Sequence, residues 1–213
     1  RWRERQPRHE EPATPAKGGM RVGYLANQIY DADMDAVRYP TREDLDRATV
    51  VGLSLPEVTQ VMALFEPKDA PGFEDVLMLD VMLRRVGAGN FRGEAMNRAS
   101  FPLIKQMYDV AVGSFKAAAD ARMLIHHAFI TSPLRFDYET LDLALAAQEE
   151  GIPIRIGASM NVAGASAPVT FAGTLAMALA ENYAGVVMSD LFGERWEPGI
   201  APIVMDQGTG ASL

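Results

Sequence analysis

The sequence predicts an α/β fold assembled from parallel strand–helix units. Short apolar runs containing β-branched residues alternate with longer segments of helical period, the pattern of strand–helix–strand crossovers. The runs are apolar on both faces, as strands covered on both sides must be. Each run leads into small residues carrying one or two polar heads, the composition of a loop whose backbone can approach a ligand. About five such units can be counted, where a closed (β/α)8 TIM barrel has eight and typically about 250 residues. The chain has 213 residues. The expectation is therefore an incomplete TIM barrel, about five of eight units, with an open doubly wound sheet as the other arrangement of the same units.

Taken in order, residues 1–20 mix charges with Pro and Gly and show no apolar period, so they read as a flexible leader. Residues 21–40 suit a short hairpin with Asp31 to Asp35 at its turn. Residues 41–213 form the (β/α) barrel portion. Pro40 and Thr41 open its first helix, with Thr41 as N-cap and Asp44 three residues on, a capping box with Asp in place of Glu. The strand runs are Val58–Phe65 (VTQVMALF), Arg85–Phe91 (RVGAGNF), Met123–Ile130 (MLIHHAFI), Pro153–Ala158 (PIRIGA) and Ala201–Asp206 (APIVMD). Between them Gly72–Arg84, Leu103–Arg122, Asp137–Glu150 and Pro168–Phe192 are long enough for helices, with Asp137 and Thr170 as caps. The sequence ends in a Gly-rich turn just after a strand, where a βα loop should begin, which gives the expectation of an interrupted barrel. Such a barrel exposes two sheet edges and is expected to be poorly soluble or to pair with another chain, a homo-oligomer included.

Composition removes several function classes. With 48% hydrophobic and 23% charged residues, the chain is ordinary globular protein rather than a fibrous or disordered one. A net charge of −8 argues against nucleic acid, whose phosphates need clustered Lys and Arg. The absence of cysteine excludes disulfides, thiolate zinc and iron–sulfur clusters. Arg1 to Ala16 has no apolar signal core, so the expected address is cytoplasmic. Pro168 to Met188 is long enough to cross a bilayer but contains Glu181 and Asn182. A carboxylate at mid-bilayer costs roughly 2.5–3.5 kcal/mol, so the segment reads as a buried helix of a soluble domain, with no membrane partner.

In either architecture chemistry collects after the carboxyl ends of the strands. Glu66 and Asp206 are the candidate catalytic carboxylates, as general base or ligand anchor; for Asp69 loop capping is the simpler role. Positional candidates for substrate binding are Asn90, Phe91, Phe129 and Ser132, then Asn161, Ala163, Gly164 and Ser166, and finally Asp206, Gln207, Thr209 and Gly210. Aromatics at strand ends, Phe65, Phe91, Phe129 and Trp196, suit either core packing or a pocket for a cation. The loop Gly157–Thr170 is neither G-x-G-x-x-G nor a P-loop; its small residues fit close packing of strand on helix, and a phosphate cradle is the alternative. His126 and His127 are adjacent in a strand and point to opposite faces, so they cannot chelate one metal together. No G-x-S-x-G or HExxH occurs. A Schiff-base lyase would need a Lys at a strand end, and beyond the leader only Lys68, Lys105 and Lys116 exist, none inside a predicted strand.

Longer motifs add a resemblance. Ser132–Asp137 (SPLRFD), Gly151–Pro153 (GIP), and Ala163–Thr170 (AGASAPVT) followed by Ala172 and Gly173 stand in the order and separation seen in the trimethylamine methyltransferase family, with its SPLxxD and AGATAPVTxAG blocks. Tyr30-Asp31, Arg38–Thr41 (RYPT), Pro67–Pro71 (PKDAP) and Asp206–Gly210 (DQGTG) resemble its other motifs, so the likeness runs from about Tyr24 to Leu213. The resemblance implies a TIM barrel that moves a methyl group from a methylated amine, tertiary or quaternary, to the cobalt of a corrinoid carried by a separate protein. No cofactor or metal would be held tightly on this subunit. One branch of the family takes trimethylamine and uses pyrrolysine, at a position that would fall beyond Leu213; another lacks pyrrolysine and takes quaternary amines such as glycine betaine. The resemblance also gives strand-end aromatics and carboxylates a purpose, as a cage for a cation. Two further functions fit the residues: a non-enzymatic barrel fragment that serves as an assembly or binding partner, and an unrelated TIM-barrel lyase.

Overall fold

The computed structural model describes residues 20–22, 26–88, 91–157, 160–193, 196–199 and 203–206. The chain forms two compact units, residues 1–124 and 125–213. It is a mixed α/β protein with one antiparallel hairpin and four strand pairs that run parallel. Of the expected leader, residues 1–19 lie outside the described residues.

In the first unit, strand β1 (Met20–Val22) runs parallel to β4 (Val58–Val61). Between them β2 (Ile29–Asp31) and β3 (Ala36–Arg38) form an antiparallel hairpin. Asp31 builds its turn: Oδ1 accepts from the Asp33 and Met34 amides, both at 3.1 Å. Helix α1 (Arg42–Ser54) then starts on the capping box that the sequence predicts, Thr41 with Asp44. Arg38 latches hairpin to helix, its two terminal nitrogens donating to the two Asp44 oxygens at 2.7 and 2.8 Å. Asp69 caps the same helix by accepting from the Arg42 amide, the bland role expected of it.

This latch has a pH signature. The Arg38 guanidinium, with the Thr41 cap, holds the Asp44 carboxyl far below the usual carboxylate range. An unfolded Asp titrates near about 3.9, so below roughly pH 5 the unfolded chain binds the extra proton first, and the stabilisation present at neutral pH drains away as pH falls through 4. An Asp44→Ala variant should lose about 1–2 kcal/mol at pH 7, the range for a lost cap. It should also show a shallower loss of stability between pH 5 and 3 than the wild type. Urea unfolding across that range checks both, and parallel pH profiles for the two proteins would refute the assignment.

Helix α2 (Glu74–Arg85) corrects one expectation. The described residues of the run 85–91 form no strand: Arg85 is the last helical residue, and the Val86 and Gly87 amides close back on the Met82 carbonyl at 2.9 and 3.1 Å. Gly87 has φ +84°, a left-handed cap that stops the helix there. The short strand β5 (Gly93–Glu94) comes later. The single helix expected over 103–122 is two, α3 (Phe101–Val112) and α4 (Phe115–Asp120), divided at Gly113 (φ +93°) where Ser114 starts a new cap. The expected strand 58–65 ends early, at Val61. Leu45, Met78 and Val81 form one core cluster of this unit, with Leu64, Phe65 and Met96 packed against them.

The second unit is a βαβαβ arrangement. Strand β6 (Leu124–Phe129) pairs parallel with β7 (Ile154–Gly157), and β7 with β9 (Glu197–Gly199). Helix α5 (Tyr138–Glu149), capped by Asp137, makes the first crossover, and α6 (Phe171–Leu191), capped by Thr170, the second. Strand β8 (Met160–Ala163), between β7 and α6 in sequence, runs parallel to β10 (Ile203–Asp206). The sequence places 159–166 in one loop; Met160 to Ala163 are instead a strand, and among the described residues of that run only the small-residue turn after Ala163 is loop.

Helix α6 departs from a simply buried helix. It buries one stripe, Thr174, Ala178, Glu181, Asn182, Gly185 and Ser189, and leaves Tyr183, Val187 and Leu191 exposed. It is long and apolar enough to cross a membrane by length and composition. The buried stripe is small and largely polar, and part of it bonds within the helix: Asn182 Nδ2 donates to the Ala178 carbonyl at 2.8 Å and Ser189 Oγ to Val186 at 2.7 Å, while Asn182 Oδ1 is buried without a partner among the described residues.

Candidate functional site

Register builds a candidate site on the second unit. Residues paired across parallel strands share a face, and successive residues alternate faces. Ile156 of β7 faces helix α6: a Cβ placed on Gly185 would stand 2.6 Å from Ile156 Cγ1. His126 and Ala128 of β6 pair with Ile154 and Ile156 and share that helix-covered side. The opposite face carries a row of polar partners, His127, Arg155 and Glu197, each opposite the next. One step along, Phe129 stands opposite Gly157, and Gly157 opposite Gly199.

The two layers differ in what they leave open. In the upper one, two glycines beside Phe129 carry no side chain, so the ring is half uncovered, at 51% exposure. Below it, Arg155 and Glu197 form a half-buried ion pair. His127 stacks on Phe129 with ring centres 5.8 Å apart. By register His127 lies below the ring on β6 and the Arg155–Glu197 pair on the next two strands; the open ring face itself presents the negative potential that suits a positively charged group.

A second cluster lies on the helix side. Glu181, 1% exposed, accepts from three donors: Ser132 Oγ to Oε2 at 2.9 Å, Asn161 Nδ2 to Oε2 at 3.1 Å, and the Leu134 amide to Oε1 at 2.8 Å. Asn161 Nδ2 also donates to Ser132 Oγ at 2.7 Å. This joins the turn after β6 to strand β8. The turn is closed on itself by paired Thr131 and Arg135 backbones at 2.9 and 3.0 Å, and holds Leu134 at φ +52°, a region costly for a Leu.

The candidates read from sequence distribute unevenly over this geometry. Phe129 lies on the open face. Ser132 and Asn161 come together, but around Glu181, with Asn161 fully buried. Ala163 ends β8, and Gly164 (φ +81°) begins a turn in which the Val162 amide donates to Ser166 Oγ at 2.9 Å. That turn answers the cradle question: the Gly164, Ala165 and Ala167 amides donate to Ala167 and Val162 carbonyls, and the Gly173 amide to Thr170 Oγ1, so these donors are spent on packing the turn. Phe91 is buried in the first unit at 4% exposure. Glu66, also in the first unit, is held by Lys68 Nζ at 2.6 Å. Asp206 ends β10 opposite Ala163, with its side chain outside the described residues, as are Asn90, Gln207, Thr209 and Gly210 entirely.

Lysine chemistry can be judged from the same geometry. Burial alone would pull the Lys68 pKa down, but Glu66 and Glu74 beside it hold it above its ordinary value. A Schiff-base lysine needs the reverse. The three residues the sequence reading missed are Arg155, Glu197 and Glu181. Glu181 did leave a signal, a carboxylate in the middle of an apolar helix. For Arg155 and Glu197, in separate runs, only strand register could reveal that they meet.

Among curated proteins no match to the chain is found. The family model of trimethylamine methyltransferase (MTTB) matches residues 7–207, nearly the whole chain. That span includes the Ser132–Asp137 block and Asn161, which converge on Glu181, and every strand of the polar row. The chain therefore belongs to the trimethylamine methyltransferase family, whose activity is methyl transfer from methylamines.

Proposed function

We propose that this protein takes a methyl group from a methylated amine, tertiary or quaternary, and passes it to the cobalt of a corrinoid held by a partner protein, and that its parallel units are an arc of a TIM barrel with the row His127–Arg155–Glu197 on the inner side. One observation supports this most directly: the half-open Phe129 ring, level with two glycines on the neighbouring strands and on the same sheet face as the Arg155–Glu197 pair. A methylated ammonium is bulky, cationic and unable to donate strong hydrogen bonds once quaternary, so ring faces and a nearby negative charge are what can hold it. The glycines leave room for its methyl groups.

In the transfer, an electron pair of the reduced cobalt forms the bond to the methyl carbon as the carbon–nitrogen bond breaks. The broken bond's pair stays on nitrogen, so a quaternary ammonium leaves as a neutral tertiary amine, while the cobalt is oxidised by two electrons. Trimethylamine enters as its ammonium and leaves as dimethylamine with the proton retained. The chain's own residues hold the cation, aim one methyl outward and keep water from it. Such an acceptor suits the reducing cytoplasm, where we place the protein.

The test is direct. The protein incubated with cob(I)alamin and either trimethylamine or glycine betaine should generate methylcobalamin absorbance. A Phe129→Ala variant should bind tetramethylammonium about tenfold more weakly, the size of a lost cation–ring contact. Absence of transfer from both amines, with unchanged tetramethylammonium affinity in the variant, would overturn the reading and leave an assembly role for the chain.

A further inference from the structure

We propose that Glu181 is a positioning residue of this site: a buried carboxylate that fixes the turn carrying Ser132 and Leu134, and through it the direction of Phe129, while tying that turn to strand β8. The proposal rests on the cation reading above for its functional consequence, but its geometry stands apart. Glu181 projects from the middle of α6, and its donors include groups from two other segments, 132–134 and Asn161. A buried carboxylate is costly to desolvate unless nearly every lone pair is used. Here both oxygens are used, and on groups that sequence alone leaves unrelated.

The turn has little else to define it. Pro133, Leu134 and Arg135 are exposed, and Leu134 keeps a left-handed backbone although its side chain, 62% exposed, gains little from burial there. Its amide bond to Glu181 Oε1 at 2.8 Å offsets that cost. Phe129 lies three residues before Ser132, at the end of β6. A turn released from Glu181 would let the ring leave the glycine side of the site. The bond pattern also makes a polarity prediction. Asn161 gives Nδ2 hydrogens to both Ser132 and Glu181, so an amide at 181 would set donor against donor, whereas a carboxylate at 161 facing an amide at 181 would restore the match with the direction reversed.

The experiment uses the full chain and two readouts, hydrogen exchange at the Leu134 amide and affinity for tetramethylammonium. Glu181→Gln should speed Leu134 exchange at least about tenfold and weaken tetramethylammonium binding by about tenfold. The double variant Glu181→Gln with Asn161→Asp should recover both to within about threefold of wild type. Unchanged Leu134 exchange in Glu181→Gln, or a double variant no better than the single one in either readout, would overturn the proposal, because a merely bulky core residue is indifferent to which partner carries the charge. A wild-type chain that takes up no tetramethylammonium would instead overturn the cation reading. Leu134 exchange, with its rescue or failure in the double variant, would then still decide whether Glu181 anchors the turn.

Discussion

An Asp75→Ala variant should lose about 3–5 kcal/mol, several backbone and hydroxyl donors being left unpaired at up to roughly 1–3 kcal/mol each, which is a large part of the roughly 5–15 kcal/mol that holds a domain together. Asp75 is fully buried in the first turn of α2. Its Oδ2 accepts from the Met96 amide at 2.7 Å, the Asn97 amide at 3.1 Å and Ser100 Oγ at 2.5 Å, and its Oδ1 from the Val76 amide at 3.0 Å. The carboxylate thus supplies the acceptors for a segment, 95–100, that belongs to no strand and only enters a helix at its end. Alanine removes them all and puts nothing in their place. Asn should fall between, since its one oxygen can serve some donors while its amide hydrogens oppose the rest. Unfolding in urea followed by circular dichroism gives the numbers. A loss under about 1 kcal/mol for the Ala variant would mean that water reaches the segment and takes over.

The elements visible in the sequence are those set by local chemistry. Thr41, Asp137 and Thr170 all cap the helices assigned to them, because a cap needs only a side chain three residues from an amide. Strands β6, β7 and β10 fall inside their apolar runs for the same reason. Failures come where two local signals compete. The run from Arg85 looks strand-like through Val86 and Phe91, yet helix α2 holds Arg85 until Gly87 takes a left-handed turn. Met160 to Ala163 were hidden among small residues that also suit a loop, and their pairing with β10, more than forty residues away in sequence, decides the matter.

The site was half visible by the same logic. Phe129, Ser132 and Asn161 could be named because they sit at strand ends or in long motifs. The Arg155–Glu197 pair could not, since Glu197 lies in a three-residue strand with a proline, a composition that local propensity rejects. Helix α6 inverts the usual rule: it turns Glu181, Asn182 and Ser189 inward and Tyr183, Val187 and Leu191 outward. Hydropathy sees only that the helix is apolar. Which stripe is covered depends on how close the helix must come to β7, and that is set by one glycine.

Gly185→Ala should therefore destabilise the second unit although alanine favours a helix by about 1 kcal/mol over glycine. The new Cβ would stand 2.6 Å from Ile156 Cγ1, 3.1 Å from Cγ2 and 3.3 Å from Cδ1. Ile156 is fully buried, so it has nowhere to retreat, and overpacking of this kind costs typically about 1–3 kcal/mol. The net expectation is a loss of about 1–2 kcal/mol for alanine, and more for valine, whose branches add to the collision. Relief can be predicted atom by atom. Ile156→Val keeps both atoms nearest the new methyl and should rescue little, whereas Ile156→Ala removes both and should make the double variant better than the sum of its parts by about 1–2 kcal/mol. The helix has a second way to escape, by sliding off the sheet, but Glu181 lies one turn earlier on the same buried stripe. A shift that clears Ile156 also pulls the carboxylate from Ser132 and Leu134. So Gly185→Ala should speed Leu134 amide exchange along with lowering stability, and adding Ile156→Ala should reverse the faster exchange while its own cavity cost keeps the double variant below wild type in stability. Strict additivity of the two substitutions, measured by chemical unfolding, would mean that α6 and β7 are not in this close contact.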